Sequence, residues 1–128
     1  MRFIPTQVHG ILDYASGSVQ IIAPWLLGAG ASRLEQRLPA ALGVGILVYS
    51  ALTAYELGVL RVIPMPVHLQ LDVLGAAILL AAPWLFGFSS KAKVAYTAIG
   101  LFESAVILTS QSTPSFAAPM EDAWHVAR

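Results

Sequence analysis

Residues 61–87 read RVIPMPVHLQLDVLGAAILLAAPWLFG, and residues 2–28 read RFIPTQVHGILDYASGSVQIIAPWLLG. A shift of 59 positions aligns the two stretches with 12 identical residues of 27, including V-H-x-x-L-D and A-P-W-L-x-G. An internal repeat of this kind indicates that one structural unit is used twice. We therefore predict two similar halves, residues 1–60 and 61–110. A polar, proline-containing tail at 111–128 should follow them and be mobile.

The composition limits the class of protein. The chain of 128 residues is 57% hydrophobic and 11% charged, whereas soluble domains carry roughly 25% charged residues. A chain with so few charges is better suited to lipid than to water. Its net charge is zero and it has no basic block, which argues against nucleic acid as a partner. The absence of cysteine excludes disulfides, thiolate metal sites and a cysteine nucleophile.

Four apolar segments, at 7–28, 40–60, 67–88 and 92–110, are each close to the ~20 residues that a helix needs to cross a bilayer. They predict an all-α, transmembrane four-helix bundle of two tandem helical hairpins. Because both halves would run the same way through the membrane, a pseudo-two-fold axis along its normal should relate them. We align the second helix of each half at an offset of 54, which pairs Ser50-Ala51 with Ser104-Ala105.

Basic residues predict the orientation. The first and third connections hold Arg33, Arg37, Lys91 and Lys93, and the opposite side holds Arg2 and Arg61 near the spans. The positive-inside rule then places both termini outside the cytoplasm. Trp25 and Trp84 follow the repeated proline at the far end of their helices, where tryptophan typically anchors a helix at the membrane interface.

Ionisable residues at membrane depth are costly, so each is a functional hypothesis. His9 and Asp13 are four residues apart and hence share one helix face, and His68 and Asp72 repeat the arrangement. The even-numbered helices add further polar side chains at similar spacing. We predict that these complete a polar cluster in the outer half of the bundle, with both Glu residues as supporting acids: Tyr49, Glu56, Tyr96 and Glu103.

Three interpretations of the cluster are open. It could consist of structural hydrogen bonds between helices. It could bind a cofactor: either a divalent metal such as zinc, iron or manganese held by His9, Asp13, His68 and Asp72, or a haem with His9 and His68 as axial ligands. It could also form a proton or ion path, as in transporters. No nucleophile–base pair or phosphate-binding loop is recognisable, which favours a non-catalytic, structural or partner-binding role over an enzyme.

The repeated A-P-W-L-x-G, with two helices per copy, resembles the SPW-repeat family of small bacterial membrane proteins. The family's serine is replaced by Ala23 and Ala82. The resemblance implies a two-repeat protein with four spans in a bacterial inner membrane, in contact with the lipid bilayer, and it implies no activity. Small residues such as Gly17, Gly43 and Ala76 would permit close helix contacts. The sequence leaves open whether the protein forms a homo-oligomer such as a dimer.

Overall fold

A computed structural model describes residues 1–28 and 30–117 of the chain. Within that part the protein is all-α, as predicted. It consists of four long helices and one short 3₁₀ turn, η1: α1 (Thr6–Leu27), α2 (Arg33–Ala51), α3 (Met65–Leu85), α4 (Ser90–Thr109) and η1 (Ser115–Ala117). Helix α1 packs mainly against α2 and α3 mainly against α4. The prediction of two helical hairpins is therefore confirmed, and helices of different hairpins contact one another more sparsely.

Glycine brings the two helices of the first hairpin close together. A Cβ atom added at Gly43 would lie 2.5 Å from the carbonyl oxygen of Gly17, and one added at Gly17 would lie 2.9 Å from that of Gly43. No side chain larger than hydrogen fits at these two positions without moving a backbone. The close approach of α1 and α2 therefore depends on these glycines.

The helix starts reveal how the two halves correspond. Ser32 caps α2 in a capping box with Glu35, and Ser89 caps α4 by accepting a hydrogen bond from the Ala92 amide. These two caps are 57 positions apart, so the predicted offset of 54 for the second helices is wrong. The matching Ser-Ala dipeptides are a coincidence of composition. Because the first helices repeat at 59 and the second at 57, equivalent positions on either side of the second short connection are two residues closer in sequence than those of the first.

The second helix covers different residues from the apolar segment 40–60 that predicted it. It begins at Arg33, because its capping box precedes the apolar run, and it ends at Ala51 rather than near Leu60. Residues 52–64 form an irregular connection in which Thr53 pairs with Ile63 in a parallel β-bridge. An equivalent bridge joins Ile4 to Ser110. The start of each half is therefore joined to the end of the other half in the same way.

Among the helices that the structure describes, α3 and α4 are long and apolar enough to cross a membrane. The prediction of four such segments is supported for those two only. Helix α1 is made less apolar by its buried polar residues, including His9, Asp13 and Gln20. Helix α2 begins with charged side chains in its first two turns. Both features lower the hydropathy of a helix.

The distribution of side chains is inverted relative to a water-soluble protein. Large apolar side chains are exposed along all four helices, among them Val19, Val48, Leu74 and Leu101, each more than half exposed. Polar side chains such as Gln20, Ser50 and His68 are fully buried. In water, exposed apolar area on this scale would be unfavourable.

The segment predicted to be a tail is packed against the bundle over its first seven residues. The amide of Gln111 donates to the carbonyl of Ile4, and the Arg61 guanidinium lies 4.9 Å from the centre of the Phe116 ring. The remainder of the predicted tail, 118–128, lies outside the described residues.

Candidate functional site

The two hairpins meet at four buried titratable side chains, which we call the His/Asp cluster: His9, Asp13, His68 and Asp72. One turn of α1 supplies the first pair and one turn of α3 the second. The histidines are at most 1% exposed and the aspartates 7%. One potential ligand atom of each residue lies within 4.8 Å of the other three. The structure thus brings together the four residues that the repeat singled out.

Every histidine in the cluster faces every aspartate. Nε2 of His9 lies 3.3 Å from Oδ1 of Asp13 and 3.1 Å from Oδ2 of Asp72. Nε2 of His68 lies 3.0 Å from Oδ2 of Asp13 and 3.2 Å from Oδ2 of Asp72. The two Nε2 atoms are themselves 3.2 Å apart. All five distances are therefore similar, and the two that involve Asp13 use its two different carboxylate oxygens.

Two hydroxyl groups fix the orientation of the imidazole rings. The Ser110 hydroxyl donates to the Val106 carbonyl at 2.6 Å and lies 2.7 Å from Nδ1 of His9. With its one proton donated to the carbonyl, the hydroxyl oxygen can accept the Nδ1–H of His9.

The second half repeats this arrangement with threonine in place of serine. The Thr53 hydroxyl donates to the Tyr49 carbonyl at 2.7 Å and lies 2.8 Å from Nδ1 of His68. In that tautomer both neutral imidazoles carry their hydrogen on Nδ1 and a lone pair on Nε2. Two nitrogen lone pairs and two carboxylates would then face one buried volume. A cation, either a metal ion or added protons on Nε2, stabilises that arrangement.

Tyr49 and Ser50 support the carboxylates from α2. The Tyr49 hydroxyl donates to Oδ1 of Asp72 at 2.5 Å, and the Ser50 hydroxyl donates to Oδ2 of Asp13 at 3.4 Å. The Tyr49 ring also packs edge-on against His68. Tyr49 was predicted to join the polar cluster, and the structure places it there.

Glu103 lies beside the His/Asp cluster and does not belong to it. Its Oε1 accepts hydrogen bonds from the Ser16 hydroxyl at 2.8 Å and from the Gln20 amide. A cavity of about 20 Å³ is lined by Glu103 together with His9, Asp13 and Asp72. This volume is enough for one water molecule or one ion.

Glu56 and Tyr96 lie away from the cluster, contrary to the prediction. Glu56 is in the irregular connection, because α2 ends at Ala51, and it accepts hydrogen bonds from Thr6 and from Ser115. Burial raises the pKa of Glu56, but these hydrogen bonds together lower it by more. The pKa therefore falls from an ordinary 4.5 to about 2. Tyr96 is near the opposite end of the bundle, where its hydroxyl donates to the Glu35 carbonyl. That carbonyl has no helical partner, because Pro39 lacks an N–H.

The two repeated tryptophans lie at the exposed ends of their helices. Trp25 is 83% exposed and Trp84 is 58% exposed, so both side chains are available for contact with the surroundings. Their role as interface anchors stays a prediction.

Sequence analysis missed two residues of the site, Thr53 and Ser110, as partners of the histidines. The incorrect offset of 54 would have paired Thr53 with Ile107. A signal was nevertheless present, because the capping serines Ser32 and Ser89 are 57 apart, and the same offset pairs Thr53 with Ser110.

A haem does not fit the cluster. Iron and a flat macrocycle must lie between two axial nitrogens, whereas the two Nε2 atoms here are within hydrogen-bond distance of each other and of both carboxylates. The space around them holds Asp13, Asp72 and Tyr49.

The fold and the site define a class: a small all-α protein of two helical hairpins, with apolar helices outside and a polar centre inside. A family model of the SPW repeat domain matches residues 7–110. The chain therefore belongs to the SPW repeat family. No curated protein and no solved structure matched the chain.

Proposed function

We propose that this protein is a four-span membrane protein that binds one divalent metal ion, of the zinc class, in its His/Asp cluster. The ion would join the two hairpins, and the role would be non-catalytic. The observation that carries the proposal is the convergence of two imidazole nitrogens and two carboxylates on one buried volume.

The membrane part of the proposal rests on the inverted distribution of side chains. Two helices are apolar enough to cross a membrane by themselves. Helices α1 and α2 bury their polar residues against the other helices and expose apolar ones, such as Ile22 and Val44. Helices with this division can span lipid because the polar face never meets it.

The proposed orientation follows from the ends of the helices. Arg33 and Arg37 lie in the first turns of α2, and Lys91 and Lys93 in those of α4. These two ends are adjacent, because the Ser89 amide donates to the Glu35 carboxylate. We place this end in the cytoplasm of a bacterium and both termini outside its inner membrane. The His/Asp cluster then lies in the outer half.

Charge favours a divalent ion. Two neutral histidines and two aspartates carry a net charge of −2, and buried charge is unfavourable unless it is paired or coordinates a metal. A divalent cation neutralises the set. Imidazole and carboxylate together suit zinc, iron and manganese.

Distance favours the four-coordinate geometry of zinc. A tetrahedral site with zinc–ligand bonds of about 2.0–2.1 Å has ligand atoms about 3.4 Å from one another. The nitrogen–oxygen and nitrogen–nitrogen separations are 3.0–3.3 Å, and one ligand atom from each of the four residues lies within 4.8 Å of the others. These separations are close to the tetrahedral ones. A site with four protein ligands is typical of structural rather than catalytic zinc.

The experiment is a metal analysis of the full chain purified in lipid nanodiscs. We expect about one zinc per chain after incubation with Zn²⁺ and washing. His68→Ala and Asp72→Asn should lose that ion, because each removes one ligand of the buried set. Tyr96→Phe, which alters a buried hydroxyl at the other end of the bundle, should retain it. If the wild type binds no stoichiometric metal, the cluster is a proton-bridged structural contact and the metal proposal is wrong.

A further inference from the structure

A groove lies on the surface of the bundle where α1 ends and α2 begins. It has a volume of about 250 Å³ and runs between these two helices. Each helix contributes three residues to its lining: Ile21, Pro24, Trp25, Gln36, Arg37 and Ala40. The groove is separate from the His/Asp cluster, because the residues of that cluster lie near the starts of α1 and α3.

Two arginines give the groove a positive charge. Arg37 lines it, and Arg33 is four residues earlier, so both lie on one face of α2. Both side chains are exposed, and neither forms an ion pair with a carboxylate among the described residues. Glu35, the one acidic residue of α2, is buried, and its carboxylate accepts hydrogen bonds from the amides of Ser32 and Ser89. The groove therefore favours a ligand with negative charge.

The second half carries as many positive charges at this end of the bundle but distributes them differently. The offset of 57 replaces the two arginines by Ser90 and Val94. The charges there belong to Lys91 and Lys93, which are two residues apart and so do not share a helix face. The arginine pair is therefore the better placed of the two pairs to contact one anion jointly.

The other walls of the groove are largely apolar. Trp25 lies at its rim and is exposed, and Ile21 and Ala40 line the part that is further from the helix ends. The exposed side chains that follow along the same helices, Ile22 and Val44, are apolar as well. A ligand in this groove would thus meet cations near the helix ends and a hydrocarbon surface beyond them.

We propose that this groove binds the headgroup of an anionic phospholipid. The phosphate accepts hydrogen bonds from Arg33 and Arg37, because the planar guanidinium group matches the geometry of phosphate oxygens. The first carbons of an acyl chain lie against Ile21 and Ala40. A soluble anion would use the arginines alone, whereas a lipid also uses the apolar wall. The proposal rests on the membrane part of the proposed function and is independent of the metal.

Native mass spectrometry of the full chain measures the lipid selectivity. The protein in detergent micelles is titrated with phosphatidylglycerol and with phosphatidylcholine that has the same acyl chains. We expect the first phosphatidylglycerol to bind about 30-fold more tightly, the combined effect of two basic residues near an anionic lipid. Equal affinities would overturn the proposal. Inorganic phosphate should not displace the bound lipid, and displacement would assign the arginines to a soluble anion instead.

Two double variants that lose the same charge locate the site. Arg33→Ser with Arg37→Val copies the second half and should abolish the preference for phosphatidylglycerol. Lys91→Leu with Lys93→Gln copies the first half, removes two positive charges from the same end of the bundle, and should retain the preference. An equal loss in both double variants would indicate diffuse attraction between charges and would contradict a site in the groove.

If the arginine variant folds poorly, NMR of the wild type decides. Phosphatidylglycerol should shift the indole N–H resonance of Trp25, assigned with Trp25→Phe, and should leave that of Trp84 unchanged. An unshifted Trp25 resonance, or equal shifts of both, would contradict the proposal. A chain that does not insert into bilayers would contradict the membrane part of the proposed function. An inserted chain without the lipid preference would contradict this inference alone.

Discussion

At the scale of single residues, Thr53 and Ser110 hold the two histidines of the cluster through Nδ1. When each hydroxyl donates its proton to a backbone carbonyl, its histidine carries hydrogen on Nδ1 and presents the Nε2 lone pair. The four cluster residues could be predicted, because the repeat conserves their type and spacing. The hydroxyls could not be predicted in the same way, because serine and threonine are not identical and they follow a different offset from the histidines.

The first prediction concerns these hydroxyls. Ser110→Ala and Thr53→Val should each weaken zinc binding about 10- to 100-fold, the usual effect of removing a group that orients a metal ligand. Isothermal titration with Zn²⁺ measures the affinity. Ser18→Ala is the matched control, because the Ser18 hydroxyl makes the same bond to a carbonyl four residues earlier but contacts no histidine. Unchanged affinity in both hydroxyl variants would contradict the tautomer argument.

The second prediction concerns Glu56, whose pKa is lowered to about 2 in the folded protein. A carboxylate whose pKa is lowered by folding stabilises the folded protein. That contribution is complete at pH values above the unfolded pKa near 4.5, and it is lost as the pH falls toward 2. Glu56→Gln should therefore lower the melting temperature at pH 7, and the difference from wild type should shrink between pH 4.5 and pH 3. Melting curves at several pH values measure this. A difference that stays constant over that range would show that the charge is irrelevant.

At the scale of helices, the bounds of α1, α3 and α4 follow the apolar segments closely, and those of α2 do not. Hydropathy locates where a helix can lie in lipid, whereas the capping box at Ser32 decides where α2 begins. The glycines in α2 show a further distinction that the sequence does not make. Gly43 touches the α1 backbone, and Gly45, two residues later, faces open space.

The third prediction uses this contrast. Gly43→Ala should destabilise the protein by about 1–3 kcal/mol, the usual cost of overpacking a tight contact. Gly45→Ala should be neutral or stabilise by up to about 1 kcal/mol, because alanine is the better helix former and nothing obstructs its methyl group. The free energy of unfolding of the two variants, measured in mixed micelles, is compared with that of the wild type. Equal stability of both variants would contradict the close packing of α1 and α2.

At the scale of the whole molecule, two well-packed hairpins are joined at a polar centre. Contacts between hairpins are sparser than contacts within them, so a ligand bound by α1 and α3 together would contribute strongly to their association. The pairing into hairpins could be predicted from the repeat. The meeting of the two His/Asp pairs at hydrogen-bond distance could not, because symmetry places equivalent residues at equal height without fixing how far they are from the axis.

The fourth prediction is that zinc stabilises the whole fold. Protein from metal-depleted cultures should melt at a higher temperature after Zn²⁺ is added, by the equivalent of about 2.7 kcal/mol when free zinc is 100 times the dissociation constant. His68→Ala should show no such increase. An equal increase in that variant would place the stabilising zinc elsewhere on the protein.

X-ray absorption at the zinc edge tests the metal centre most directly, because it reports which atoms surround the ion. Zinc-loaded wild-type protein should show four ligands, two imidazole nitrogens and two oxygens, at about 2.0–2.2 Å. The absorption spectrum of the bound zinc should change in Asp13→Asn and stay the same in Tyr96→Phe. A six-oxygen shell, or no zinc retained after washing, would contradict a metal-bound His/Asp cluster.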